Sequence, residues 1–567
     1  MSNINLPRQY IAPQIALLLL SFYTMTATSA EPVLPGAGSI LQELAPSITP
    51  MSMPAKQGVE VTIDRTKSIT LPLSSPFLVK SFQVTGNRLI DTPTLLALLE
   101  SAKGKTLTLL DLSEVAARIT TYYRSHDYPL ARAIIPGQTI VQGVVRIDVI
   151  EAVYGQIKLD NSSKVKDALL QSTLLQLQSG EPISQVNMDH VLLLLSDVPG
   201  VLVDATLKPG DAIGSSDFVV TTSQGPSAYG SLMLDDYGNS YTGRDRLGGS
   251  LSVLNLLHHG DTLSVNALSS GRGMNYGRIG YDFLLNGIGT HVGGAYSSLN
   301  YVLGAPITTD IHGTAQVGSL WVNQPFIRSR YANLNGQIQY DDLVLRDFYS
   351  STIQIDRGIT KLTTSLTGDS RDQWLAGGIN SWNLGWSLGR VRFDNSAAQV
   401  ADASTANSQG SFSKLNANIV RLQSLTLDDS LYLTASAQWA SKNLDTSQKM
   451  SVGGPYTVRA YDMGALSGDS GYFLSAEYRH NLSWITAGKL QLVAFVDSAN
   501  VTFNSNIWTG VTGANSGTLS GVGAGANWIG PDQWGLKAYI ATPIGSAPAL
   551  VAVQNSARLW VELGRRF

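Results

Sequence analysis

From Ser227 to the C-terminus the chain is written in steps of two. Segments of roughly ten residues alternate apolar and polar positions between Gly, Asn, Asp and Ser turns, as membrane strands do when one face meets lipid and the other a lumen. The clearest are 277–285, 431–439, 472–479, 490–497, 536–540 and 559–567. In 490–497, Leu490, Leu492, Ala494 and Val496 share one face, while Gln491, Val493, Phe495 and Asp497 share the other. About sixteen segments fit into about 340 residues, or roughly 21 per strand with its connection, a spacing that suits a tilted barrel with alternating short turns and long loops.

Upstream the period changes. An alternating strand (78–84) meets a Gly86-Asn87 turn, and two helices follow, one capped by Asp91 and one beginning near Asp111 with Leu112, Val115, Ile119 and Tyr122 on one face. Strands at 131–135 and 144–150 complete a β-α-α-β-β unit. Residues 153–222 repeat that order, with strands at 154–159, 201–207 and 218–222 and helices at 164–177 and 186–195. The predicted organisation is a signal peptide (1–30), a linker (31–74) holding one short helix at 37–44, two small α+β modules (75–152 and 153–225), and a barrel (226–567). Two long connections interrupt the barrel: a polar surface loop at 395–410 and a loop at 441–470, of a length that usually serves a function.

Composition sharpens this. Charged residues are only 14%, Gly numbers 54, and 22 Tyr and 10 Trp supply interfacial aromatics. A net charge of −3 argues against a general nucleic-acid binder. There is no cysteine, which excludes disulfides, thiolate metal sites and a Cys nucleophile. Arg8, the apolar run 15–22 and Thr28-Ser29-Ala30 read as a secretory signal, and after it no stretch is long and apolar enough for a membrane helix. A membrane location then requires a closed barrel, because open sheet edges leave unpaired backbone groups in lipid.

Four stretches resemble a known family, the two-partner secretion transporters. In the first module Tyr122-Tyr123, Tyr128-Pro129-Leu130-Ala131-Arg132-Ala133, Pro136, Gln138, Gly143 and Glu151 follow the family's POTRA pattern, with Asp127 and Ala152 where glycine is frequent. In the second, Asp197-Val198-Pro199-Gly200-Val201 and Leu207-Lys208-Pro209-Gly210 look like its counterpart. Asp235-Asp236-Tyr237-Gly238 with Thr242-Gly243-Arg244 resembles the first barrel strand and its turn. In the long loop Val458-Arg459-Ala460-Tyr461 resembles a Val-Arg-Gly-Tyr motif, and Phe495-Val496-Asp497-Ser498-Ala499 a Phe-x-Asp-x-Gly motif; both final glycines are alanine here.

The resemblance implies periplasmic POTRA modules followed by a transmembrane antiparallel β-barrel of about sixteen strands, exporting a large partner protein, a TpsA-like adhesin, cytolysin or haemolysin, to the cell surface. It implies that the loop folds into the pore, with Arg459 reaching Asp497 on the wall, and that the helix at 37–44 plugs the pore, though a plain linker turn fits those residues equally well. The modules would capture an extended passenger at an open sheet edge. The other expected partners are outer-membrane lipid and, through the terminal Phe567, the barrel-assembly machinery; Arg565, on the face of Leu559, Val561 and Leu563, departs from the apolar choice there.

No catalytic residue, cofactor or metal site is expected. Gly468-Asp469-Ser470-Gly471 mimics a serine-protease nucleophile but lacks a His-Asp context. His258-His259, read as neighbours on a strand, would point to opposite faces. Asp235-Asp236 suits a solvated turn better than calcium. The rival readings are an assembly insertase of the same superfamily, which usually carries more soluble repeats, and a passive porin, which carries none.

Overall fold

The computed structural model describes residues 34–44, 61–63, 74–483, 487–546, 548, 550–551 and 556–567. The signal-peptide assignment (1–30) and most of the linker lie outside the described residues.

The described residues of the C-terminal part form one closed barrel of sixteen antiparallel strands. We number them β1 (Ala228–Asp235), β2 (Arg246–Leu254), β3 (Thr262–Ser269), β4 (Met274–Leu284), β5 (His291–Val302), β6 (Ile311–Arg328), β7 (Ala332–Tyr349) and β8 (Thr352–Asp372). The second half comprises β9 (Gly378–Phe393), β10 (Gly410–Ser424), β11 (Asp429–Ala440), β12 (Ser470–Leu482), β13 (Lys489–Thr502), β14 (Ser516–Ile529), β15 (Trp534–Pro543) and β16 (Arg558–Arg566). Each strand pairs with the next, and β1 closes on β16 from Ser231↔Arg566 to Asp235↔Glu562. All backbone edges are thereby used, the condition for crossing a bilayer with strands.

The two-residue period puts Leu320, Leu366, Leu384, Trp386, Ile419 and Ile540 on the outer wall, all exposed. β6 to β9, at 16 to 21 residues, outrun the roughly 9–11 residues a membrane strand needs. Their surplus carries the ion pairs Arg346–Asp356 and Arg392–Asp394, which marks it as standing clear of lipid.

Two modules precede the barrel. The first has a three-stranded sheet (Ser81–Thr85, Val144–Ile150, Arg132–Ile134) under helices Thr92–Ala97 and Leu109–Ser125. Asp91 caps the former and Thr108 the latter, with Asp111 completing a capping box. The expected strand 78–84 is split. Phe77–Leu78 pairs with Thr106–Leu107, while Ser81–Thr85 pairs in parallel with Val144 to Asp148.

The second module repeats the order with Val153–Asn161, Val201–Pro209 and Ser215–Gln224 over helices Asp167–Leu174 and Gln185–Ser196. Its sheet has a fourth member that periodicity does not reveal. Linker residues Val61–Ile63 lie parallel against Ala205 to Leu207, occupying the edge beside Val201–Pro209.

The loop expected at 395–410 is not wholly irregular. Asn395 caps a helix, Ser396–Ser404, by accepting from the Ala398 amide.

Candidate functional site

The 441–470 connection leaves β11 and turns back into the barrel. Its base is a short turn, Thr446–Gln448, and a hairpin in which Met450–Val452 pairs with Leu466–Gly468. Gly453 and Gly454 follow, both at φ +102°, a left-handed setting that admits little but glycine. This turn delivers Val458, Arg459, Ala460 and Tyr461 to the wall formed by β12 to β16, where all four are buried with Phe473, Val493, Phe495 and Leu519.

Arg459 forks Asp497, with Nε 2.8 Å from Oδ2 and Nη2 2.8 Å from Oδ1; its own amide also donates to Asp497 at 3.2 Å. Nη1 donates to Glu477 on β12 at 2.7 Å, and the guanidinium lies 3.4 Å from the centre of the Phe495 ring. The Trp560 indole on β16 donates to the Arg459 carbonyl at 2.7 Å. A planar cation is thus held by a bidentate carboxylate, a second carboxylate and an aromatic face, far more directional than an exposed pair. Glu477 and Trp560 were missed by sequence reasoning. Their only signal was an inward position on alternating strands.

The residues 37–44 form a helix, Ala37–Glu43, inside the lumen against β5, β6 and β7. The Ala37 amide donates to Asp347 on β7 at 2.7 Å, and Ala37 and Ile40 are fully buried. A side chain at Gly38 would lie 2.7 Å from the Ser447 amide nitrogen, so the helix rests directly on the base of the pore loop. Arg357 on β8 binds both neighbours: Nη1 is 2.9 Å from Asp347, Nε 2.6 Å from Asp445 of the loop, and Nη2 3.2 Å from Thr446.

Phe567 lies beside the closing seam, exchanging backbone hydrogen bonds with Gly230 at 2.9 and 3.0 Å while its ring stays exposed to the outside. Arg565 sits 5.5 Å from the centre of the outward Trp534 ring. In the first module Glu151 accepts from the Tyr123 hydroxyl at 2.6 Å and from the Arg88 and Leu89 amides at 2.8 and 2.9 Å. Burial and the adjacent carboxylate push the Tyr123 phenol well above its usual range. These motif positions therefore close the module's own core.

Two expectations are corrected. Asp235 is buried and bound to Arg246 at 2.8 Å, and Asp236 accepts from the Val561 amide, so the pair is neither a solvated turn nor arranged for a cation. His258-His259 occupies a turn rather than a strand: His258 has φ +62°, and His259 Nε2 meets Lys166 Nζ at 2.7 Å. Asp469 is fully buried among the Leu444 and Ser505 amides and Lys449, which makes it a structural anchor of the loop.

Comparison with known proteins gives the same outline. Residues 214–527 match the haemolysin secretion/activation protein ShlB/FhaC/HecB family, and residues 77–152 match the ShlB-type POTRA domain. The heme/hemopexin transporter protein HuxB of Haemophilus influenzae (strain 86-028NP) is 27% identical over 468 residues, 81% of this chain and 82% of HuxB. Among solved structures, CdiB from Escherichia coli superposes with a TM-score of 0.67 at 19% identity, covering 92% of this chain and 93% of its own. CdiB from Acinetobacter baumannii gives 0.59 at 17% identity, covering 90% and 94%.

Proposed function

Because the chain belongs to the haemolysin secretion/activation protein family ShlB/FhaC/HecB, we propose that its lumen is held shut by two devices, the Arg459–Asp497 loop lock and the Ala37–Glu43 helix, and that a passenger received by the soluble modules opens both. The protein is an outer-membrane transporter that exports a partner protein by two-partner secretion, with its barrel in the outer membrane and its POTRA region in the periplasm. The partner is a secreted protein of the adhesin or cytolysin kind, and the remaining contacts are outer-membrane lipid and, at Phe567, the assembly machinery. The reading assigns the chain no catalysis, cofactor or metal.

The observation that carries the proposal is the return of the 441–470 loop to the wall, where Arg459 is surrounded by Asp497, Glu477 and Phe495. An aqueous lumen of sixteen strands conducts unless filled; here a helix and a loop fill it from opposite sides. The second support is the linker strand 61–63 on the edge of the second sheet. That edge can accept an extended chain by β-augmentation. A passenger that pairs there displaces the linker, and the linker leads through residues 45–60 to the lumen helix.

The test is secretion of the partner alongside pore conductance. Deleting 75–225 should abolish secretion while leaving an inserted barrel that the helix and the loop still hold shut. Undiminished secretion by that variant would show that the modules do not receive the passenger.

A further inference from the structure

The turn that ends the long helix of the first module carries Asp127 at φ +78°. Glycine takes that backbone setting freely and other residues take it at a cost. In the described hydrogen bonds the Asp127 side chain binds only the second module. Its carboxylate accepts from the Val186 amide at 2.8 Å and from the Ser184 hydroxyl, and its carbonyl accepts from the Gln185 amide at 2.9 Å. Ser184 is the N-cap of helix Gln185–Ser196 and accepts in turn from the Asn187 amide at 3.2 Å. The first amides of this helix have no partner within it, and a carboxylate at that end is also favoured by the helix dipole. Asp127 meets both needs from another module. Leu130 and Ala152 of the first module pack into the second module's core beside it.

The same helix grips the barrel. Asp189 forks Arg330 at 2.6 and 2.8 Å, and its C-cap Asp197 forks Arg328 at 2.6 and 2.7 Å, both arginines lying at the hairpin that joins β6 to β7. Leu284, the last residue of β4, is part of the second module's core. Helix Gln185–Ser196 is therefore fixed at one end by the first module and along its length by the barrel rim.

We propose that Asp127 is a positioning residue that locks the first module to this helix, so that both modules and the barrel rim form one rigid arm presenting two sheets to the passenger at a fixed spacing. This rests on the reading that the modules receive the passenger. A strained residue whose carboxylate serves only the neighbouring module has a clear use as a clamp and none in its own turn.

The natural chain has no cysteine, so Lys103→Cys with Asp211→Cys, both exposed and one on each module, gives a clean pair for spin labels in the full-length protein. Pulsed electron resonance should return one narrow distance distribution without passenger. Asp127→Gly, which serves the same φ but removes the carboxylate, should broaden it, as should Ser184→Ala to a lesser extent. Asp127→Asn, which keeps an acceptor for the Val186 amide, should restore most of the narrowness. A distribution already broad in the native chain, or unchanged by Asp127→Gly, overturns the clamp. Secretion of the partner forms a separate arm and should fall several-fold in Asp127→Gly and recover in Asp127→Asn. A broadened distribution with full secretion would overturn the claim that fixed spacing serves the passenger, while leaving the exporter reading intact.

Discussion

The methyl group of Ala460 lies over the bare α-carbon of Gly521 on β14, where a side chain built at position 521 would come within 2.5 Å of it. Alanine stands in the loop motif where the family has glycine, and the wall opposite supplies the missing space. Ala460 is not among the residues with positive φ, so no left-handed geometry is required there. Gly521→Ala should therefore push the loop tip off the wall. Overpacking of this kind costs about 1–3 kcal/mol. Secretion should fall while the barrel still inserts, and Ala460→Gly in the same chain should restore it. Full secretion by Gly521→Ala alone would show that the two residues do not constrain each other.

The Arg459 lock has unequal halves. Asp497→Ala leaves the guanidinium with Glu477, whereas Arg459→Ala strands Asp497 with the Ser475 hydroxyl, 2.8 Å away, as its other side-chain partner. Breaking a buried pair costs about 3–5 kcal/mol, mostly through the charge left behind. Both variants should lose secretion with the barrel still heat-modifiable, and Arg459→Ala should destabilise the barrel more by thermal unfolding. Arg459→Lys should not rescue secretion, because a single ammonium cannot fork Asp497 and lie on Phe495 at once. Normal secretion by both alanine variants would remove the lock from the mechanism.

Arg357 predicts a different defect. It is shared between Asp347, which accepts from the Ala37 amide and the Tyr301 hydroxyl, and Asp445 of the pore loop. Arg357→Ala leaves both buried carboxylates without their cation, so the helix and the loop base should loosen together while the Arg459 lock stays closed. A cysteine placed at Ser39 should then react faster with an impermeant maleimide, and resting conductance should rise. Unchanged labelling would mean that the helix is seated without Arg357.

The parts of this architecture legible in the sequence are those written in short periods. Alternation over 490–497 matches β13, where Asp497 and Phe495 are buried inward and Val496 is exposed outward. Asp91 and Ser184 lie within three residues of the amides they cap. What escaped was set by contacts across long stretches of chain. Asp347 meets Ala37 across 310 positions, and Arg459 meets Trp560 across 101. Val61–Ile63 has too few residues to show a period and is a strand only because Val201–Pro209 offers an edge. Asp127 was visible as a departure from the family pattern, yet its use depends on a helix 58 residues further on that no local rule places beside it.

That linker strand makes the last prediction. Val61–Ile63 holds three registered pairs on the sheet edge that a passenger would use, and as part of the same chain it competes there as an intramolecular strand. A passenger therefore binds more weakly than its direct contacts alone would allow, and binding draws residues 61–63 off the sheet. Replacing 61–63 with Gly-Ser-Gly removes the β-branched residues that favour the strand while keeping the tether length. The purified transporter should then bind an N-terminal passenger fragment several-fold more tightly, measured by calorimetry. Its resting conductance should stay low, because Ala37 and Arg357 still seat the helix. If affinity is unchanged, the passenger uses another edge, of which Val153–Asn161 at the far side of the same sheet is the longest in that module.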